Sequence, residues 1–319
     1  MTRARDNSFN PFNNQAAGKN VVINGAFDFW QRGTSFASSN SVYVFTADRW
    51  QIVRNGYTLG QTVTRQSSGL SGFNYCARVQ RDSGNTSTQS IQFQSSFATE
   101  EVLRLQGQTS TLSFYARTGA NFSASSNAVT ILVAASTNVD TPLQSYSSNV
   151  SYPYNAAINL TGGTTWTRYF VNVIIPSNTT SAGVNLYYNP TGTAGAADYY
   201  EITGVQLEIG STPTAFSRSG GTTQGELAAC QRYYAVGGGD LSFSGVTTAG
   251  NGYYGMYYFP VDMRVTPSVT LTNANNAGPF GATPGGAGGT TTRYTREGRT
   301  AATSSSGYFG SSFFATAEL

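Results

Sequence analysis

The sequence predicts an all-β protein in which a jelly-roll β-sandwich is followed by a smaller C-terminal β domain. Many short runs of alternating apolar and polar residues are separated by clusters of Gly, Asn, Ser and Pro, which is typical of sandwiches and jelly rolls. Hydrophobic residues make up 39% of the 319 positions, which is enough for a core. Helical periodicity is nearly missing. We expect strands at residues 21–23, 26–30, 42–45, 50–53, 57–65, 75–80, 90–93, 109–117, 129–134, 169–175, 184–188, 199–209, 241–246, 253–259, 269–272 and 308–315.

Two short segments depart from the strand pattern. Residues 99–105 are compatible with one turn of helix, and residues 223–234 predict a longer helix. In the longer segment, Leu227, Cys230 and Tyr234 fall on one helical face. A lone helix of this length is marginal in water, so it needs a surface to pack against.

The composition divides the chain into four parts. The first part is polar and rich in Asn, so it cannot bury a core of its own. It is either disordered or docked on another subunit, and we favour docking through Arg3, Arg5, Phe9 and Phe12. The four parts are an N-terminal peptide, a jelly roll, a linker with the short helix, and a C-terminal β domain, at residues 1–19, 20–218, 219–236 and 237–319.

The residue types exclude the common catalytic mechanisms. The chain contains no histidine, which removes Ser-His-Asp and Cys-His catalysis and histidine-based zinc sites. Glycoside hydrolysis needs two carboxylates that face each other across a cleft. The only local groupings do not form such a pair, because adjacent strand residues point to opposite faces. They are Glu100 with Glu101, Asp198 with Glu201, and Glu208. The sequence therefore predicts a protein that is not an enzyme.

No cofactor is predicted. Carboxylate and amide oxygens are the ligands that Ca²⁺ prefers, so a structural calcium ion held by Asn24, Asp198, Glu201 and Glu208 remains an alternative. Four-cysteine zinc is impossible, because the chain has two cysteines. We expect both to be small buried hydrophobic residues, with a single distant disulfide as the alternative; they are Cys76 and Cys230.

The charge pattern argues against nucleic acid and membranes as partners. The formal net charge is +3, Lys19 is the only lysine, and the arginines are scattered rather than gathered in a stripe. No apolar run is long enough to span a membrane. The start of the chain lacks the apolar stretch of a secretory signal, so we expect a product that is assembled inside a cell and released by another route.

Two groups of aromatic residues are candidates for ligand contact. The three tryptophans lie beside apolar neighbours, so we expect them in the core rather than on a sugar-stacking platform; they are Trp30, Trp50 and Trp166. A second group lies on one predicted strand, where alternation brings at least two tyrosines to the surface. Exposed tyrosines suit ligand contact or packing between subunits. The candidate ligand-binding residues are Tyr253, Tyr254, Tyr257 and Tyr258.

Several motifs over about residues 20–235 resemble phage tail-fibre and related virion fibre proteins. The opening and closing motifs also resemble jelly-roll carbohydrate-binding modules. The segments that carry the resemblance are 24–34 (NGAFDFWQRGT), 46–50 (TADRW), 112–117 (LSFYAR), 166–169 (WTRY), 204–210 (GVQLEIG), 213–216 (PTAF) and 230–234 (CQRYY).

The resemblance implies a non-catalytic virion protein, assembled in the host cytoplasm, that presents a host-surface-binding β domain. It implies a homotrimer, attachment to other virion proteins through the N-terminal peptide, and a host-surface glycan as the receptor. The last 80 residues or so match only in style, as expected of a receptor-binding tip at residues 237–319.

Two other functions compete with adhesion. One is a purely architectural virion component, such as a head fibre, a decoration protein or a tail connector subunit. The other is a depolymerase. The missing histidine and the missing pair of acids argue against a depolymerase, as does the lack of the long repeats typical of β-helix tailspikes.

Overall fold

The structure is a computed structural model that describes residues 19–37, 43–54, 60–146, 149–237, 243–281 and 285–319. It contains two compact units. The first runs to Glu226 and includes Leu319, and the second is Leu227–Glu318. The division falls within residues 219–236, the segment predicted to be a linker. Four residues that we expect to dock on another virion protein lie outside the described residues; they are Arg3, Arg5, Phe9 and Phe12.

The first unit consists of two antiparallel six-stranded sheets. Its strands are β1 (Ser35–Ala37), β2 (Val44–Phe45), β3 (Trp50–Arg54), β4 (Gln61–Ser67), β5 (Tyr75–Arg81), β6 (Ile91–Phe97), β7 (Thr109–Thr118), β8 (Ala128–Ser136), β9 (Val150–Asn159), β10 (Thr167–Ile174), β11 (Ser181–Tyr188) and β12 (Tyr199–Ile209). The first sheet has the order β1-β4-β5-β12-β7-β10, and the second has the order β2-β3-β6-β11-β8-β9. Short helical turns connect some strands, at α1 (Thr99–Val102), Leu103–Leu105, Ser125–Asn127 and Leu143–Ser145.

Alternate residues of both sheets form one continuous core. In the second sheet, the ring centroids of Trp50 and Phe93 lie 4.9 Å apart, and Phe27 packs on both rings. Between the sheets, the hydroxyl of Tyr200 on β12 donates a hydrogen bond to the carbonyl of Leu186 on β11, at 3.3 Å. The inward side chains of both sheets are therefore packed against each other, as in a jelly-roll sandwich.

A buried arginine connects two loops at one end of the first sheet. The Arg81 guanidinium lies 3.4 Å from the Asp198 carboxylate, and both side chains are fully buried. The same guanidinium donates hydrogen bonds to the carbonyls of Ser87, Thr191 and Gly192. Because a buried charge is costly without partners, this arginine holds the loops in one arrangement.

The prediction of strands at 21–23 and 26–30 is wrong. Asn24 and Phe27 adopt left-handed backbone angles, with φ of 58° and 55°, which a strand does not accommodate. The Asn24 side chain accepts a hydrogen bond from the N–H of Phe29 and donates to two carbonyls. Val22 and Phe27 are fully buried, because the turn itself packs into the core. The apolar pattern therefore predicted the burial of these residues correctly, but it predicted strands where the chain forms a turn.

The second unit is also antiparallel and has two sheets. It begins within helix α2 (Thr223–Gln231), and its strands are β13 (Tyr234–Gly237), β14 (Phe243–Val246), β15 (Gly252–Tyr258), β16 (Ser268–Ala277), β17 (Gly286–Gly288), β18 (Tyr294–Thr300) and β19 (Ser306–Thr316). One sheet has the order β13-β19-β14, with β16 paired to β19, and the other has the order β15-β18-β17. The core of the unit includes Phe259, Phe313 and Phe309.

Two expectations for this region need correction. The run of Gly, Ala, Asn and Thr at 273–292 predicts one long loop, but β16 runs to Ala277 and β17 occupies Gly286–Gly288. The helix α2 ends at Gln231, and Tyr234 begins β13 instead of continuing the helical face. The predicted all-β fold class is nevertheless confirmed, since both units are built of antiparallel sheets. Within the described ranges, no helix is long and apolar enough to cross a membrane.

We predict that replacing Arg81 with Met lowers the free energy of unfolding of the first unit by about 3–5 kcal/mol, because Asp198 is left as an unpaired buried charge. Chemical denaturation followed by tryptophan fluorescence measures this, since Trp30, Trp50 and Trp166 all lie in the first unit. The control is Asp82→Asn, an exposed position expected to change stability by no more than about 0.5 kcal/mol. Equal effects of the two substitutions would contradict the role of Arg81.

Candidate functional site

The four candidate tyrosines of β15 divide between two faces. Tyr253 and Tyr257 point inward, where Tyr257 lies with its ring centroid 4.0 Å from that of Phe313 and Tyr253 packs on Phe243. Tyr254 and Tyr258 point outward and are 57% and 66% exposed. Two of the four predicted ligand-binding residues are therefore largely exposed, and the other two are partly buried, as the alternation of a strand requires.

The outward tyrosines belong to a larger aromatic surface, which we call the tyrosine strip. The guanidinium carbon of Arg296 lies 4.8 Å from the centroid of the Tyr254 ring. The rings of Tyr258 and Tyr294 are 5.9 Å apart. Gly298, opposite Tyr254 on β18, gives the ring room, since a Cβ at that position would lie 2.9 Å from it. The strip consists of Tyr254, Met256, Tyr258, Tyr294 and Arg296.

The outer face of the first sheet carries a second polar and aromatic cluster, the arginine–aromatic row. Glu201 on β12 lies between Arg78 on β5 and Arg117 on β7. Arg78 donates to one carboxylate oxygen of Glu201 at 2.9 and 2.7 Å, and Arg117 donates to the other at 2.5 Å. Glu201 is fully buried, while the arginine side chains are 26% and 28% exposed.

Aromatic rings complete the row at both ends. The guanidinium of Arg78 lies 4.1 Å from the centroid of the Tyr199 ring, and that of Arg117 lies 4.7 Å from the Trp166 ring. The Trp166 indole N–H donates to the carbonyl of Ser68, which fixes the orientation of the ring. The row consists of Tyr199, Arg78, Glu201, Arg117 and Trp166.

The row was missed by the sequence prediction. Trp166 was expected in the core, yet it is only half-buried and lies on the outer face. The other two tryptophans are buried as predicted. Nothing in the spacing of Arg78, Arg117 and Glu201 indicated their contact, because they come from three strands that are distant in sequence. The only available signal was alternation, which predicts that Arg78 and Arg117 point to the face of the sheet away from the core.

The oxygen ligands considered for calcium do not come together. Asp198 pairs with Arg81, and Glu201 pairs with Arg78 and Arg117. Glu208 accepts hydrogen bonds from Thr214, and Asn24 closes its own turn. Over the part of the chain that the structure describes, no group of three or more Cys, Asp or Glu side chains is arranged to hold a metal ion.

A buried carboxylate joins helix α2 to the turn at Asn24. Glu226 accepts hydrogen bonds from the backbone N–H of Asn24 at 2.5 Å and of Gly220 at 2.7 Å. Burial raises the pKa of this carboxyl above its ordinary value of 4.5, and the two N–H donors only partly oppose the shift. Sequence analysis did not single out Glu226, because a glutamate in the first turn of a helix usually faces solvent.

Cys76 and Cys230 form no disulfide and are both buried, so the expected role as small hydrophobic residues fits both. Cys76 lies on β5, close to the arginine–aromatic row. Burial, followed by the negative charge of Glu201, raises the pKa of its thiol to about 12. The thiolate is therefore scarce at neutral pH, and the thiol is inert in the folded protein.

No family model and no curated protein matches the chain. Among solved structures, it is similar to a family 4 carbohydrate-binding module at 15% identity and a TM-score of 0.36, over 59% of this chain and 99% of that one. It is similar to a family 22 xylan-binding domain at 13% identity and a TM-score of 0.32, over 58% and 99%. A similarity to the enzymatically active domain of a bacteriophage CBA120 tailspike protein has 13% identity and a TM-score of 0.32, over 60% and 21%. Scores this low assign neither a family nor a ligand.

The pairing of the strands defines the fold class of this protein. The protein is all-β, with a jelly-roll sandwich and a second antiparallel β unit. Exposed or half-exposed aromatic side chains meet arginine at the tyrosine strip and at the arginine–aromatic row. Both have the chemistry of binding surfaces, since aromatic residues and arginine are enriched at the centres of interfaces.

We predict a pH dependence that arises from Glu226. Its pKa is raised in the folded state, so the folded protein holds this proton more tightly than the unfolded chain. The resulting stabilisation is fully present below pH 4.5 and is lost as the pH rises through the folded pKa. The free energy of unfolding of the wild type, minus that of Glu226→Gln, should therefore fall as the pH rises. Denaturation of both proteins across this pH range measures the difference, and a difference that grows with pH would refute the assignment.

We predict that Cys76 does not react with a thiol reagent at pH 8 while the protein is folded, because its pKa of about 12 leaves little thiolate. In denaturant and without reductant, both cysteines should react, since neither is held in a disulfide. Mass spectrometry of the labelled protein counts the modified thiols at each site. Rapid labelling of Cys76 in the folded state, or no labelling of either cysteine after unfolding, would contradict this account.

Proposed function

We propose that this chain is an adhesion subunit of a phage particle that binds a host-surface glycan through the tyrosine strip. Two lines of reasoning support the proposal. The motifs at 24–34, 46–50 and 204–210 resemble virion fibre proteins. The tyrosine strip is an exposed aromatic surface that has no role in the core of its own unit.

The exposure of Tyr254 and Tyr258 is the observation that carries the proposal. A tyrosine offers a flat apolar ring to the C–H face of a sugar, together with a hydroxyl for its polar groups. It does so at low entropic cost, because only two side-chain torsions are ordered on binding. Met256 on β15 and Arg296 on β18 extend the contact area beside the tyrosines. Gly298 has no side chain, so it leaves space beside the Tyr254 ring.

The other parts of the chain have supporting roles in this proposal. The jelly roll at 20–218 is the scaffold, and 237–319 is the receptor-binding tip. Residues 1–19 attach the protein to other virion proteins, with Arg3, Arg5, Phe9 and Phe12 as contacts. The subunit forms a homotrimer, is assembled in the host cytoplasm and acts on the virion without catalysis.

A purely architectural role is the second candidate, and the position of β15 favours it. Among the described residues, β15 pairs with β18 alone and forms the edge of its sheet. Phe259 donates a hydrogen bond to the carbonyl of Arg293, so alternate residues direct their backbone groups away from β18. These are Tyr254, Met256 and Tyr258. An edge strand without charge or proline is suited to pairing with a second chain.

We predict that the double substitution Tyr254→Ser and Tyr258→Ser weakens binding to host-envelope glycans by at least about tenfold, because two aromatic anchors are lost. The stability of the unit should be retained, since both side chains are exposed. Purified protein is tested on an array of bacterial surface polysaccharides, and its oligomeric mass is measured by light scattering.

Tyr152→Ser is the matched control, because Tyr152 is a comparably exposed tyrosine of the first unit, at 55%. It should leave binding unchanged. Unchanged binding of the double variant, with a lower oligomeric mass, would favour the architectural role. If neither property changes, the tyrosine strip serves neither function.

A further inference from the structure

The arginine–aromatic row has a surplus of positive charge. Two guanidinium groups share the single carboxylate of Glu201, so Arg78, Glu201 and Arg117 together carry a net charge of about +1. Arg168 lies on the adjacent strand β10, with its guanidinium 5.6 Å from the Tyr115 ring, and adds to the positive potential. The outer face of the first sheet therefore attracts anions at this point.

Both arginines retain unused hydrogen-bond donors. An arginine side chain has five N–H donors in a planar fork. Arg78 bonds to Glu201 through Nε and Nη2, and Arg117 bonds through Nε alone. The remaining Nη groups of both arginines are not buried, so they reach solvent. The row thus presents N–H groups from two guanidinium planes to an incoming ligand.

These donors are held in place before any ligand arrives. Glu201 fixes one edge of each guanidinium, and the rings of Tyr199 and Trp166 support their planes. The rings are themselves anchored, since Trp166 donates to the Ser68 carbonyl and Tyr199 packs against Gly119, where a Cβ would lie 2.8 Å from the ring. Pre-ordered side chains lose little entropy on binding.

The shape and charge of the row favour one class of ligand. Arginine forks match the planar geometry of a carboxylate. The flanking rings are half-exposed and offer apolar surface to a sugar ring. A nucleic acid would need more cations in a continuous stripe than this face supplies. We propose that the arginine–aromatic row binds a saccharide that bears a carboxylate group, with Arg78 and Arg117 contacting the carboxylate and Tyr199 and Trp166 contacting the sugar.

This site lies on the first unit and is independent of the tyrosine strip, so it goes beyond the proposed function. The test uses the full chain and calorimetric titration with oligosaccharides of glucuronate, galacturonate and N-acetylneuraminate. At least one should bind, and its methyl ester should bind at least about tenfold more weakly, because the ester removes the charge and keeps the sugar. Higher salt should also weaken binding. This arm needs no variant protein.

Variants then locate the site. Arg117→Lys keeps a cation beside Glu201 and removes the fork, so binding of the acidic saccharide should fall by about tenfold while the denaturation midpoint is preserved. Arg65→Met is the matched control, because Arg65 also lies over a tyrosine ring, 4.5 Å from the centroid of Tyr75, and belongs to neither proposed binding surface. It should leave acidic-saccharide binding unchanged.

Three results would overturn the proposal. They are no binding of any of the carboxylate-bearing saccharides, equal binding of the methyl ester, and equal binding by Arg117→Lys. Loss of glycan binding by the Tyr254 and Tyr258 double variant, with acidic-saccharide binding intact, would separate this site from the proposed function.

Discussion

The buried ion pair between Arg81 and Asp198 is the interaction on which the outer face of the first sheet depends. Arg81 is the last residue of β5, and Asp198 directly precedes β12. The N–H of Arg81 also donates to the Asp198 carbonyl at 2.9 Å, so backbone and side chain both tie the two strands at this end. This register places Arg78 opposite Glu201. A slip of one residue would turn every side chain of a strand to the other face, and the arginine–aromatic row would not form.

Two buried carboxylates of the first unit are satisfied in different ways. Glu201 accepts charge-assisted hydrogen bonds from two guanidinium groups, which offset the cost of its burial. Glu226 has two backbone N–H donors as its hydrogen-bond partners, and burial raises its pKa. The first arrangement leaves cationic groups at the surface and suits binding. The second joins a helix to a turn and suits structure, because both donors are backbone groups of the unit itself and Glu226 is buried.

The second unit separates core and surface along single strands. On β15, Tyr253 and Tyr257 build the core while Tyr254 and Tyr258 form the surface. The partner strand β18 carries an ion pair on its inner side, where Arg299 donates to Glu297 at 2.6 Å. Arg299 also donates hydrogen bonds to the hydroxyl of Ser311 and the carbonyl of Gly281, and these bonds offset the cost of burying its charge. The outer side of the same strands carries the tyrosine strip, the proposed binding surface.

The sequence by itself determined the fold class, most strands and the outward direction of at least two β15 tyrosines, because alternation and turn residues are local signals. It did not reveal β18, whose inner positions include Glu297 and Arg299, since an apolar pattern is missing where a core position is filled by an ion pair. It assigned strands to 21–23 and 26–30, where the apolar residues are buried in a turn. Only the tertiary structure decided that Arg78, Arg117 and Trp166 meet around Glu201. Their contact depends on the register of three strands, and register is set by pairing between residues that are far apart in the chain.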